Sequence, residues 1–216
     1  MESPSGKTQP SPHPATAIRA IVALGNPGRN YAHTRHNAGW LLADRIADGQ
    51  NAQWQQKFKG ELTRVTLGGA GQNEPLWLLK PMTFMNLSGH PAQAMAQFYG
   101  LKPQEIVVLH DDLDLPFGRV QIKAGGGHGG HNGLRSLVAQ LGSAEFARVR
   151  IGIGRSPNAA MDVADWVLSS FSALEHAELP DVIDRASVAL NAIASLGVHA
   201  AMNRCNGTAG SKKSNS

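Results

Sequence analysis

His36 stands in the run Thr34-Arg35-His36-Asn37-Ala38-Gly39. An imidazole with an unperturbed pKa of roughly 6.5 can take and return a proton near neutral pH, so it is a candidate for acid–base chemistry. Upstream, past Tyr31, the turn Gly25-Asn26-Pro27-Gly28 supplies a further amide. Asn offers donor and acceptor without charge, which suits holding a carbonyl and a water together. The run from Lys80 to Gly89 repeats the arrangement with Asn86, and Met85 beside it makes an adaptable apolar wall for a bulky substrate. The plainer readings are a helix-start histidine, a helix cap at Asn86, and Met82, Phe84 and Met85 as core.

His110-Asp111-Asp112-Leu113-Asp114 gathers three acids in five residues. A calcium loop started at Asp112 fails, because its fifth position is Pro116 and no Glu closes it. A magnesium site stays open, as does use of one carboxylate to orient a distant histidine and stabilise its imidazolium; turn formation accounts for Asp112 and Asp114 equally well. The run Gly125-Gly126-Gly127-His128-Gly129-Gly130-His131-Asn132-Gly133-Leu134 leads into a helix and leaves N–H groups bare at its start, a place for an anion or a carbonyl. Gly125, Gly127 and Gly130 match a dinucleotide pattern, but the strand before them carries Arg119, Gln121 and Lys123, and Gly154-Arg155 stands where an acid should end the next strand. Neither Lys-Ser nor Lys-Thr follows the glycines, which excludes a Walker A loop. His128 and His131 find no third metal ligand at a convincing spacing.

Such groups need strands that end where they begin. Ile18 to Leu24 and Ile106 to Leu109 are short β-branched runs halting at polar clusters, as buried strands do; Leu62 to Leu67, Leu76 to Leu79 and Val149 to Ile153 are further strands. Helical spacing runs over Trp40 to Ala47, Leu87 to Tyr99, Leu134 to Leu141 and Val182 to Leu196, with Pro180 in the first turn of the last. Arg119 to Lys123 alternates strictly, as a half-exposed strand does. The expected fold class is α/β: a single three-layer α/β/α globule around a twisted, mostly parallel mixed sheet.

With 216 residues, 42% hydrophobic and 17% charged, one soluble domain is expected and a membrane protein is not. Cys205 is the only cysteine, so neither a disulfide framework nor a Cys-ligated zinc site is available, and a cytoplasmic location fits. The net charge is only +4, yet between Asp114 and Asp162 Glu145 is the sole acid against Arg119, Lys123, Arg135, Arg148, Arg150 and Arg155. That bias suggests an anionic partner.

In this order, the blocks Gly25 to Gly28, Thr34 to Gly39, Thr83 to Gly89, His110 to Asp114, Gly125 to Leu134 and Arg150-Ile151-Gly152-Ile153-Gly154 resemble the bacterial peptidyl-tRNA hydrolase family. The resemblance implies an esterase that cuts the bond between peptide and tRNA in peptidyl-tRNA, recycling tRNA from stalled or aborted translation, as a monomer without cofactor or metal. It implies His36 as general base, Asp111 as its orienting partner, and Asn26, Asn86 and Asn132 as holders of water and carbonyl. Tyr31 and Met85 then line the peptide channel beside His131, and Lys123 and Arg150 clamp the 5′ phosphate of a tRNA whose 3′ CCA end carries the ester. Gln121 departs from a basic residue of some relatives. A non-catalytic RNA-binding module of the same fold is the competing class. Residues 1–17 are expected to be a disordered Ser/Pro-rich extension without an export signal, 18–203 the hydrolase domain and 204–216 a flexible basic tail. By this reading Asp111→Asn is milder than His36→Ala, because it leaves the base in place.

Overall fold

The computed structural model describes residues 17–68 and 74–207. Its strands are β1 (Ala20–Ala23), β2 (Gln55–Lys57), β3 (Gly60–Val65), β4 (Leu76–Pro81), β5 (Ile106–Asp112), β6 (Val120–Ala124) and β7 (Ala147–Gly152). The helices among the described residues are α1 (Ala38–Asp48), α2 (Gly89–Tyr99), α3 (Asn132–Leu141), α4 (Val163–Leu168), α5 (Ala173–Leu196) and α6 (Val198–Asn206).

The strands form one sheet in the order β2-β3-β4-β1-β5-β7-β6. β4, β1, β5 and β7 run parallel, whereas β3 opposes β4 and β6 opposes β7, so the sheet is mixed and mostly parallel, as expected. Alternation along β1 supplies both faces. Ile21 and Ala23 pack with Leu42 and Ile46 of α1 and Val182 and Ile183 of α5, while Val22 and Leu24 pack with Met95 of α2 and Leu134 and Leu137 of α3. These two apolar layers make the three-layer sandwich.

Among the boundaries that differ from the sequence expectation, three have a physical reason in the packing or capping. β5 continues through His110 and Asp111, both buried, because their polar atoms find partners inside the fold. α5 begins at Ala173, where Ser172 Oγ accepts from the Glu175 N–H and Glu175 Oε2 accepts from the Ser172 N–H, a capping box. Pro180 therefore lies inside that helix rather than in its first turn; it sits on an exposed face, where water can serve the carbonyl it leaves unpaired. Lastly, α6 carries helical structure through Arg204, Cys205 and Asn206, past the expected end of the domain at residue 203. Asn206 Oδ1 accepts from Ile122 N and its Nδ2 donates to Ile122 O, both at 2.8 Å, so a side-chain amide pairs with the edge strand β6. Residues 1–16 of the expected N-terminal extension and the remainder of the tail, residues 208–216, lie outside the described residues.

Candidate active site

β1, β4 and β5 are parallel neighbours, so their C-terminal ends lie side by side. Asn26 follows β1, Asn86 follows β4 and Asp111 lies at the end of β5. That is where an open α/β sheet collects its polar groups. His36 enters from a 3₁₀ turn, Arg35–Asn37, at the head of α1. Gly39 makes the approach possible, because a methyl group there would overlap the carbonyl oxygens of Leu109 and Leu24.

His36 Nδ1 lies 3.0 Å from both Asp111 Oδ1 and Oδ2. His131 Nε2 lies 3.0 Å from Oδ1 of the same carboxylate. His131 Nδ1 accepts from the Gly133 and Leu134 N–H groups at 3.1 and 3.4 Å, capping α3. With Nδ1 accepting, the His131 proton must sit on Nε2 and be donated to Asp111. His36 likewise donates through Nδ1, which leaves its Nε2 as the lone pair able to take a proton. Burial by itself would lower the His36 pKa, but the charge of Asp111 and the hydrogen bond to it raise it above the ordinary imidazole value. Burial by itself would raise the Asp111 pKa; His36 and His131 hold it far below the usual carboxylate range.

His110 is the third imidazole here. Its Nδ1 donates to the Asp111 carbonyl at 2.6 Å, its Nε2 is buried without a partner among the described residues, and burial, with His131 beside it, pushes its pKa down to about 3. It is a neutral buttress.

The amides are laced to this centre. Asn37 Oδ1 accepts from Asn26 N at 2.9 Å and Asn37 Nδ2 donates to Asn26 O at 3.0 Å, fixing the turn after β1. Asn26 Oδ1 in turn accepts from Met85 N at 2.8 Å, which leaves the Asn26 Nδ2 group to donate elsewhere. Asn86 and Asn132 are exposed, in the 3₁₀ turn Met85–Leu87 and at the first residue of α3. Met85 is buried, while Phe84 is 56% exposed with its ring edge-on to Tyr31 at 6.4 Å between centroids. Phe84, for which core was the plainer reading of the sequence, is thus the apolar group that the fold presents beside Tyr31; the clamp by Asn37 escaped sequence reasoning.

The acids of the β5 terminus part company. Asp112 Oδ2 accepts from Arg150 Nε at 2.7 Å and its Oδ1 from Asp114 N at 2.9 Å, whereas Asp114 pairs with Arg155 at 2.6 Å. Although burial opposes it, the Arg150 hydrogen bond lowers the Asp112 pKa. With two of the three carboxylates committed to arginines, the magnesium reading loses its ligands. His36, Asp111 and His131 do offer ligand atoms within 4.8 Å of one another. A cation bound through the nitrogens that now face Asp111 would require both imidazoles to reverse their tautomers, and His131 Nδ1–H would then face two backbone N–H groups. The site does not suit a resident metal.

On β6 and β7, Lys123 faces Arg148 and Gln121 faces Arg150 in register, and Arg150 also donates to Gln121 Oε1 at 3.0 Å.

The sequence profile of the peptidyl-tRNA hydrolase family matches residues 20–215. Among curated relatives, the chain is 47% identical over 185 residues to the peptidyl-tRNA hydrolase of Sorangium cellulosum, covering 85% of this chain and 81% of that one. It is 44% identical over 189 residues to that of Desulfitobacterium hafniense, covering 88% and 100%. The crystal structure of peptidyl-tRNA hydrolase from Acinetobacter baumannii superposes with a TM-score of 0.80 at 37% identity, covering 90% of this chain and 97% of that one.

Proposed function

The chain belongs to the peptidyl-tRNA hydrolase family and hydrolyses peptidyl-tRNA; we propose that it does so with a water molecule that His36 activates and Asp111 supports. The observation that carries this reading is the convergence of His36 Nδ1 and His131 Nε2 on one buried, ionised carboxylate. His36 Nε2 takes a proton from water as the oxygen attacks the ester carbonyl, and the imidazolium so formed is held by Asp111. When the carbonyl re-forms, the bond to the ribose oxygen of the 3′ adenosine breaks and that oxygen takes the proton back from Nε2. Asn26, through its free Nδ2, and the exposed Asn86 and Asn132 hold the carbonyl and the attacking water. As neutral amides they stabilise the developing oxyanion without perturbing the base. Tyr31, with Phe84 and Met85, receives the peptide.

The working partner is peptidyl-tRNA bound by its 3′ CCA end and 5′ phosphate, in the cytoplasm.

Release of labelled N-acetyl-aminoacyl groups from tRNA tests the reading, and EDTA should leave the rate unchanged. Loss of turnover with chelation, restored by a divalent ion, would return the acids to a metal role.

Lys123 and Arg150 are diagonal neighbours on one face of the β6–β7 pair, roughly 7–8 Å apart along the backbone register and somewhat less between Cβ atoms, a span that suits one phosphate. Replacing both with Ala should raise KM for peptidyl-tRNA and reduce its log–log salt slope by roughly 1 to 2. Cleavage of a peptidyl-CCA fragment without the 5′ phosphate should match the parent protein. Equal loss on both substrates would assign the pair to holding the sheet edge instead, and kcat/KM at two salt concentrations separates the outcomes.

A further inference from the structure

Arg148 is a buried cation that the chemistry above leaves unused. On β7 it sits between Val108 of β5 and Lys123 of β6, 2% exposed, without a carboxylate partner among the described residues. A buried guanidinium is expensive unless its donors are satisfied, and an apolar side chain would fill the place at less cost. The glycine loop satisfies its two terminal nitrogens, while Nε is buried without a partner among the described residues. Arg148 Nη1 donates to the Gly127 carbonyl at 2.7 Å and Nη2 donates to the Gly126 carbonyl. Consecutive carbonyls can turn to one fork here because Gly126 has φ +97°, a conformation that L side chains rarely adopt.

Beyond that anchor the loop is closed on itself, with His131 N donating to His128 O at 2.9 Å and Gly130 N to His128 Nδ1 at 3.1 Å. It ends at His131, which holds Asp111, and Asn132. We propose that Arg148 is a positioning residue for hydrolysis: by gripping the carbonyls of Gly126 and Gly127 it sets the loop from which His131 reaches Asp111 and on which Asn132 meets the substrate. The proposal rests on the water-activation reading and adds to it a second anchor for the carboxylate, 37 residues from Asp111 in sequence.

Arg148→Gln and Arg148→Lys should each lower kcat by about 10-fold, Lys less than Gln, with KM little changed and the same loss on peptidyl-tRNA and on the peptidyl-CCA fragment. Amide exchange over residues 126–131 should quicken. As His131 releases Asp111, the carboxylate is left to His36 alone, and the acid limb of the pH–rate profile should move up, which loss of general stability would not produce. Gly126→Ala disturbs the same carbonyls from an exposed position, without touching the core, and should reproduce the effect on the fragment. Parent-like kcat and exchange in folded variants would overturn the proposal. So would a rise in KM confined to the substrate bearing a 5′ phosphate, which would make Arg148 a third phosphate ligand. If His36→Ala kept its activity, the water-activation reading would fail while the exchange result still reported on the loop.

Discussion

A folded His36→Ala protein should lose at least about 100-fold in kcat while binding tRNA nearly as the parent does. Among the described residues, neither of the other two imidazoles at the site is placed to stand in. His110 is 2% exposed and held neutral, with its unpartnered nitrogen inside the fold. His131 spends its lone pair on the Gly133 and Leu134 N–H groups and its proton on Asp111. Of these three imidazoles only His36 has both an unspent nitrogen and a raised pKa. The pH dependence carries a sign as well. A general base must be neutral to act, so kcat/KM rises with pH as His36 loses its proton. Asp111 outweighs burial and raises that pKa, so the acid limb should lie above the ordinary imidazole value of roughly 6.5. Near-parent kcat in the folded variant, or an acid limb below about 6, would remove His36 from the role of base.

Strands were legible where apolar runs are continuous, as in Ile21 to Leu24, because both faces of a central strand are covered. The far end of β5 was not, since His110 and Asp111 read as a loop until their partners are known. β2, three polar residues at the sheet edge, and α4, six residues, carry too little pattern to stand out. The start of α5 was set too late, because Pro180 was given the first turn while the capping box at Ser172 and Glu175 went unread. At the site, residue type and family resemblance led to His36 and Asp111, which are 75 residues apart in the chain, a distance no local spacing rule covers. The tautomer of His131, the lacing of Asn26 by Asn37, and the grip of Arg148 on the glycine loop depend on where backbone N–H and C=O groups point. Sequence records those directions only indirectly, through glycines that permit them.

Asp111→Asn should cost nearly as much as losing the base, about 100-fold or more in kcat, although sequence reasoning ranked it the milder change. Two N–H donors converge on Oδ1, and His36 Nδ1 is also 3.0 Å from Oδ2. If the new amide places its nitrogen at Oδ1, that nitrogen faces His131 Nε2–H, which cannot yield its proton because His131 Nδ1 already serves two backbone donors. The amide must therefore place its nitrogen at Oδ2, opposite His36 Nδ1–H. Two donors meeting in a buried site push His36 to the tautomer protonated at Nε2, and in that form it cannot accept the proton of water. The negative charge that stabilises the imidazolium is lost as well. Burial then acts on His36 unopposed, so the acid limb of the variant's pH–rate profile should fall below that of the parent, with melting temperature and KM close to unchanged. A loss of less than about 10-fold with the limb unmoved would show that the carboxylate neither sets the tautomer nor supports the charge.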